Sequence, residues 1–303
     1  MIRDYKKVSS NYTSWDQKHH AEDYLLYPEN IGAYLAIDEV AFSKGELYTI
    51  LSNKSGGSKK GTLVAIIKGT KSQDIITVLE RLPNRDSVKE VTLDMAPNMG
   101  LAIKTMFPNA QQVSDRFHVI QLITEALQKE RIEHRWLAIK EDNKRIALAR
   151  KQGHPYFPEI LSNGDTTKQL LARSRYLLFK TPDKWTIDQA KRAKVLFRRY
   201  PDLHSAYKHH LEFRAIYQLL DKRTAHKALI NWIEKTIVQE HYPFYSLIMT
   251  IKQHFDTILN FFNRRSTNAF AESFNAKIKL FRANLRGVKN NHFFLFRLEK
   301  LFA

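Results

Sequence analysis

The apolar and polar positions change their period along the chain. Between 34 and 67, short apolar runs are bounded by turn residues. The first spans 34–42 and is interrupted by Asp38 and Glu39. The next two, 46–51 and 62–67, are separated by Gly56-Gly57. Runs of this kind predict three strands in a meander. Ile75, Ile76, Leu79 and Leu82 then fall at helical spacing, with Ser72 as candidate N-cap and Pro83 past the end. Residues 88–95 predict a fourth strand, 97–107 a short helix, 110–114 a fifth strand and 116–133 a long helix. The order βββαβαβα fits a mixed sheet with helices packed on it.

No convincing strand pattern follows from 135 to 263. Helical stretches recur at 136–151, 167–179, 187–200, 203–221, 224–239 and 245–262, with Gly153, Pro155, Gly164, Pro182, Pro201 and Pro243 between them. This block reads as an all-α insertion. A last long helix is expected over 268–285, ended by Gly287, and a short aromatic-basic helix closes the chain. Residues 1–30 lack clear periodicity and read as an arm. The expected organisation is an arm at 1–30, an α/β core beginning at 31–135, an all-α insertion at 136–262, and helices at 263–303 that complete the core.

Composition narrows the chemistry. The 303 residues carry a net charge of +18 and no cysteine. Disulfides, cysteine-based zinc sites, iron–sulfur clusters and a thiol nucleophile are therefore excluded. The first residues lack the apolar core of a signal peptide, and no apolar run is long enough to cross a membrane. The expectation is an intracellular, basic, soluble protein whose default partner is a polyanion, most often nucleic acid. The charge is uneven: residues 1–140 hold 19 basic and 17 acidic side chains, 141–260 hold 21 and 12, and 261–303 hold 9 and 2. Such a gradient suggests that the second half meets phosphates. None of the 12 histidines lies in a His-Glu-x-x-His helix, so no zinc site is expected.

Two predicted strands end alike, Leu35-Ala-Ile-Asp38 and Val91-Thr-Leu-Asp94. A carboxylate after a buried apolar run needs a cap, an ion-pair partner or a metal. Glu39 points to the opposite face and reads as structural. Asp115, in Ser114-Asp-Arg-Phe-His118, is either a rival ligand or the N-cap of the next helix. His118 either hydrogen-bonds near the site or packs the helix start. On the late helix, Phe270, Phe274, Ile278, Phe281 and Leu285 form an apolar stripe, while Glu272 heads an edge made of Asn275, Lys279, Arg282 and Arg286. With Lys277, and with Arg264 and Arg265 just upstream, this edge is either a solvated face or a contact for DNA phosphates. The aromatic and basic residues of the insertion (Trp185, Arg198, Arg199, Tyr200, Tyr207, Trp232) form either a core or part of a DNA groove.

Four segments carry a resemblance: Leu35-Ala-Ile-Asp-Glu39, Val91-Thr-Leu-Asp-Met-Ala96, Asp115-Arg-Phe-His-Val119 and Thr267-Asn-Ala-Phe-Ala-Glu-Ser-Phe-Asn-Ala-Lys-Ile-Lys279. They resemble the DDE-type insertion-sequence transposases of the ISL3 group, from about residue 31 to the C-terminus. The resemblance implies a ribonuclease-H-like mixed five-stranded sheet interrupted by a helical insertion, with the first and fourth strands adjacent. It implies Asp38, Asp94 and Glu272 as the catalytic triad, with 177 residues between the last two. Carboxylates held side by side need a cation, and oxygen-only ligation points to Mg²⁺ or Mn²⁺, two ions being implied. The implied reaction is DNA cleavage followed by strand transfer, on the insertion-sequence ends and a target, by a homo-oligomer on DNA. Many members begin with a cysteine zinc-binding region and a helix-turn-helix, which are absent here. A separate end-recognition protein or a missing N-terminal region is therefore expected. Two competing readings remain: a structure-selective metal-dependent nuclease of the same fold, and a catalytically inactive DNA-binding remnant.

Overall fold

The structure, a computed structural model, describes residues 10–42, 46–285 and 290–303. The chain divides into two compact units: residues up to His118 together with His254–Ala303, and Val119–Gln253.

The first unit is built on six strands: β1 (Tyr24–Leu26), β2 (Tyr34–Ala41), β3 (Leu47–Asn53), β4 (Leu63–Lys68), β5 (Glu90–Leu93) and β6 (Gln111–Ser114). Their order is β1-β4-β3-β2-β5-β6. The meander β2–β3–β4 is antiparallel, β1 joins β4 antiparallel, and β5 and β6 run parallel to β2. The parallel half follows from the crossovers through α1 (Ser72–Leu79) and α2 (Pro97–Met106), since a parallel return needs a helix-length connection.

The two faces of the sheet read off by parity. Leu35 and Ile37 on β2, and Val91 and Leu93 on β5, pack with Ile75, Leu79, Met99 and Ile103 of α1 and α2. Val40 faces the other way, into a cluster with Tyr48, Ile50, Phe274, Ile278 and Phe293–Phe296. Asp38 shares the parity of Val40, and Asp94 that of Thr92. Both carboxylates therefore belong to the second face.

The second unit is helical. It holds most of α3 (Arg116–Lys151), then α4 (Thr167–Arg173), α5 (Arg175–Leu178), α6 (Ile187–Arg199), α7 (Pro201–Ile216), α8 (Lys222–Val238) and α9 (Tyr242–Gln253). Its aromatics form a core. Tyr207 and Trp232 are buried, and Trp232 stacks on His209 with ring centres 4.5 Å apart. The chain then returns to the first unit as α10 (Phe255–Arg264), α11 (Ala269–Asn284) and α12 (Asn291–Phe302).

Several sequence expectations need correction. The sheet has six strands because Tyr24-Leu25-Leu26 pairs with Ala65–Ile67, a segment too short to carry a period. Within the described part of the expected arm, Tyr12, Trp15, Leu25 and Tyr27 are buried, and the Trp15 indole donates to Glu299 at 2.6 Å. Ser72 is the first residue of α1 and not its cap. Residues 116–151 form one 36-residue helix, which no glycine or proline interrupts. The stretch 245–262 belongs to two helices that meet at His254, and α10 runs along β6. There Thr257 meets Ser114 at 2.6 Å, and the Asn260 amide donates to the Gln112 carbonyl at 2.8 Å. Gly287, expected to end α11, lies outside the described residues.

Candidate active site

The β2–β5 register pairs Leu35 with Val91 and Ala36 with Thr92. Continued by two residues, it sets Asp38 beside Asp94, at the usual ~4.8 Å between neighbouring strands. Asp38 lies within β2, whereas Asp94 is the first residue past β5. The end of β6 supplies Asp115, whose N–H donates to the Leu93 carbonyl at 2.9 Å. His118 follows one turn into α3.

Each carboxylate has a distinct environment. Asp38 accepts the Glu39 N–H at 2.9 Å on one oxygen and the Asn275 amide at 2.8 Å on the other. Burial pushes its carboxyl up to about 6, Asp94 adds to the rise, and the Glu39 N–H, His118 and Asn275 oppose it. Asp94 is more open, with 37% of its side chain exposed. Asp115 is 1% exposed. Burial alone would raise its carboxyl, but hydrogen bonds from His118, the Asn268 N–H and the Phe117 N–H hold it below the ordinary carboxylate value. His118 Nδ1 sits 3.1 Å from Asp115 Oδ2 and 3.8 Å from Asp94 Oδ1. Its pKa is pushed up to about 9, chiefly by the Asp115 hydrogen bond and then by the charges of Asp94 and Asp38, against burial. An imidazolium held this firmly answers a concentration of negative charge.

Glu272 comes from the first turn of α11. The helix is pinned by Phe274 and Ile278, both 0% exposed, with Phe274 edge-on to Phe302 at 5.0 Å. That anchoring leaves Glu272 exposed above the strand ends. Ligand atoms of Glu272, Asp115 and His118 lie within 4.8 Å of one another. This tight trio is not the expected triad: Asp94 lies 3.8 Å from its His118, and Asp38 is tied to the Glu272 helix through Asn275. The carboxylates of Asp38, Asp94 and Glu272 are the oxygen donors that suit a hard divalent cation, whereas an imidazolium at His118 has no lone pair to offer. In the helical unit, Glu130, His134 and Asp202 form a second close group. There His134 Nε2 lies 2.8 Å from Asp202 Oδ2.

The expected DNA edge divides. Lys277 and Lys279 are exposed. Asn275, grouped with that edge by spacing, is instead buried against Asp38, where its amide is used internally. Arg282 donates to Asn291 at 2.8 Å and covers the Phe294 ring, so it ties α11 to α12. Arg264 stacks over Tyr34 at 4.0 Å. Tyr34 is four residues before Asp38 on β2, or roughly 13 Å along the strand. Arg265 caps α10 and lies over Phe261 at 5.2 Å. Arg286 lies outside the described residues. Two buried residues, Asn268 and Thr92, lie within the segments that carry the resemblance but are given no role there. Their only signal is the pairing of Thr267-Asn268 with the start of the Glu272 helix.

A mixed sheet with carboxylates on adjacent parallel strand ends and a third on a returning helix defines the ribonuclease-H-like class of polynucleotide-processing proteins. The family model of the ISL3-type DDE transposases matches residues 35–298. The chain belongs to that family. It is 22% identical over 273 residues to the transposase for insertion sequence element IS1001 of Bordetella parapertussis, covering 89% of this chain and 61% of that protein. It is 27% identical over 198 residues to the transposase for IS1557 of Mycobacterium tuberculosis, covering 64% of this chain and 43% of that protein. The chain thus spans about half the length of the curated relatives it matches.

Proposed function

We propose that this chain is the catalytic part of an insertion-sequence transposase, which cuts DNA at the element's ends and joins them to a target. The observation that supports this most is the parallel pairing of the strands that lead to Asp38 and Asp94, together with the placing of Glu272 beside Asp115 and His118. Those three carboxylates would hold Mg²⁺ or Mn²⁺, which when bound supplies an activated oxygen nucleophile and stabilises the leaving oxygen of a phosphodiester.

The side chains have separate tasks in this reading. Asn275 and the Glu39 N–H fix the Asp38 carboxylate, and each Asp38 oxygen keeps a second lone pair for a ligand. His118 holds its Nδ1 proton between Asp115 and Asp94 and offsets part of the negative charge. Lys277 and Lys279, exposed on the helix that carries Glu272, would follow the DNA backbone. We assign end recognition to a partner protein or to a region beyond this chain. A homo-oligomer on DNA would supply one site for each element end.

The test is a plasmid-based assay with DNA carrying the element's own ends, with Mg²⁺ or Mn²⁺ and whatever end-recognition component the element encodes. Cut ends joined to target DNA are expected. Asp38→Asn, Asp94→Asn and Glu272→Gln should each lower both steps by about a thousandfold, some 4 kcal/mol of barrier. Cleavage without joining would favour the nuclease reading. DNA binding with no metal-dependent cutting would favour the inactive remnant.

A further inference from the structure

Asp115 has two candidate roles, because its carboxylate belongs to the trio with His118 and Glu272. Its contacts decide between them. Oδ1 accepts the backbone N–H of Asn268 at 3.0 Å, and Oδ2 accepts from His118 Nδ1 at 3.1 Å. The Phe117 N–H, in the first turn of α3, also donates to this carboxylate. Asp115 thus accepts from three protein donors where Asp38 accepts from two, and at 1% exposed it is shut off from solvent. Glu272, by contrast, is open to solvent.

Asn268 is the N-cap of α11 and is 0% exposed. Its carbonyl accepts the Glu272 N–H at 3.0 Å, the first hydrogen bond of the helix. Its side-chain oxygen accepts from the Thr92 hydroxyl at 3.1 Å. Thr92 lies on β5 between Ala36 of β2 and Val113 of β6, two residues before Asp94. The residue that starts the Glu272 helix is thus held from two sides. The end of β6 holds its N–H, and the centre of the parallel half-sheet holds its side chain. A buried backbone N–H with no such acceptor would be costly.

We infer that Asp115, Asn268 and Thr92 form a clasp that sets the height and rotation of α11, so that Glu272 is placed over Asp38 and Asp94. Asp115 is a positioning residue and not a metal ligand. One carboxylate caps two helices, α3 through Phe117 and α11 through Asn268, although 153 residues separate Asp115 from Asn268. The Asp115-x-x-His118 spacing then serves the same end: His118 occupies the second oxygen and keeps it from turning towards an ion. This inference rests on the metal site proposed above, but its structural half does not.

The experiment has two readouts on the full chain. Hydrogen exchange without metal tests the clasp directly. In Asp115→Ala and Asn268→Ala, amides of the first two turns of α11 should exchange at least about tenfold faster, while those of β2, β3 and α12 keep the wild-type rate. Thr92→Val, a smaller change, should give the same pattern to a lesser degree and covers the case in which an alanine variant fails to fold. Mn²⁺ titration followed by electron paramagnetic resonance tests the ligand question. Asp115→Asn retains an acceptor for the Asn268 N–H, and it should bind Mn²⁺ within about threefold of wild type. Asp38→Asn and Glu272→Gln should lose tenfold or more. Loss of Mn²⁺ by Asp115→Asn as large as by Asp38→Asn would make Asp115 a ligand and overturn the assignment. Unchanged exchange in α11 would overturn the clasp. A wild-type chain that binds no Mn²⁺ would sink the proposed metal site, while leaving the exchange result to judge the clasp.

Discussion

At the scale of single residues, the site is a problem of placing like charges together. Asp38 keeps its position because each oxygen has a donor, and one donor is a buried amide from α11. Hydrogen bonds to charged groups contribute about 1.5–3 kcal/mol. Asn275→Ala should therefore lower unfolding stability by that amount in urea titrations. It should also lower cleavage, because Asp38 loses the contact that fixes its orientation. A different residue contributes to the acid response of the helical unit, beside its neighbour His209, whose pKa burial lowers to about 4. His210 is 0% exposed and faces Thr124 of α3 at 3.1 Å, with Tyr207 and Arg214 near it on its own helix. Burial, with help from Arg214, lowers its pKa to about 3, against an unfolded value near 6.5. The unfolded chain thus binds the proton more readily between those values. The stability due to a neutral His210 is complete above pH 6.5 and drains away as the pH falls towards 3. The loss is at most about 1.4 kcal/mol per pH unit for each such proton. His210→Gln should flatten the fall in melting temperature between pH 6.5 and 4.5, relative to wild type.

At the scale of elements, α11 matters most. Phe274 and Ile278 secure it to the sheet face that carries Asp38, and the Asn268 cap fixes its end. Phe274→Ala removes a fully buried ring. It should cost about 3–5 kcal/mol, read from chemical denaturation, and reduce metal binding through the misplaced Glu272. Elements with a long uninterrupted pattern were legible in the sequence. β2, β3 and β4 carry apolar runs between turn residues, and the stripe from Phe270 to Ile278 gives α11 its buried side. Three-residue β1 was not legible, because its partner Ala65–Ile67 lies forty residues away and decides its state. The long α3 was read as two helices, although no residue in it breaks a helix. Two starts in the insertion could have been found. Thr166 and Thr186 each form a reciprocal capping box with a glutamine three residues on, a spacing visible in the sequence. The strand ends at Asp38 and Asp94 and the helix that carries Glu272 were legible in the sequence, through the apolar runs and the motif around Glu272. The buried Asn275 was misgrouped because its i+3 spacing from Glu272 resembles an exposed edge. The Thr92–Asn268 contact spans 176 residues, and no local pattern encodes it.

At the scale of the whole molecule, the separation of labour follows the charge. Residues 1–140 are nearly balanced, while the remaining 163 carry most of the +18. If those cations neutralise DNA phosphates, affinity should fall steeply and linearly in log–log form with salt, by about 0.9 for each phosphate contact. Lys277→Ala with Lys279→Ala should shallow that slope by about two while leaving Mn²⁺ affinity intact. Weak salt dependence would mean that the basic surface does not meet DNA. The site itself is assembled by topology. A sequence interval that holds an entire helical unit is spanned so that Glu272 comes beside Asp115 and His118, with Asp94 3.8 Å from that histidine.

The most direct test of this account is the anomalous scattering of Mn²⁺ in crystals of the full chain grown with that ion. The account expects density among the side-chain oxygens of Asp38, Asp94 and Glu272, with Asp115 still bonded to the Asn268 N–H and to His118. Density confined to other residues, or Glu272 turned away from an ion held by the two aspartates, would contradict it.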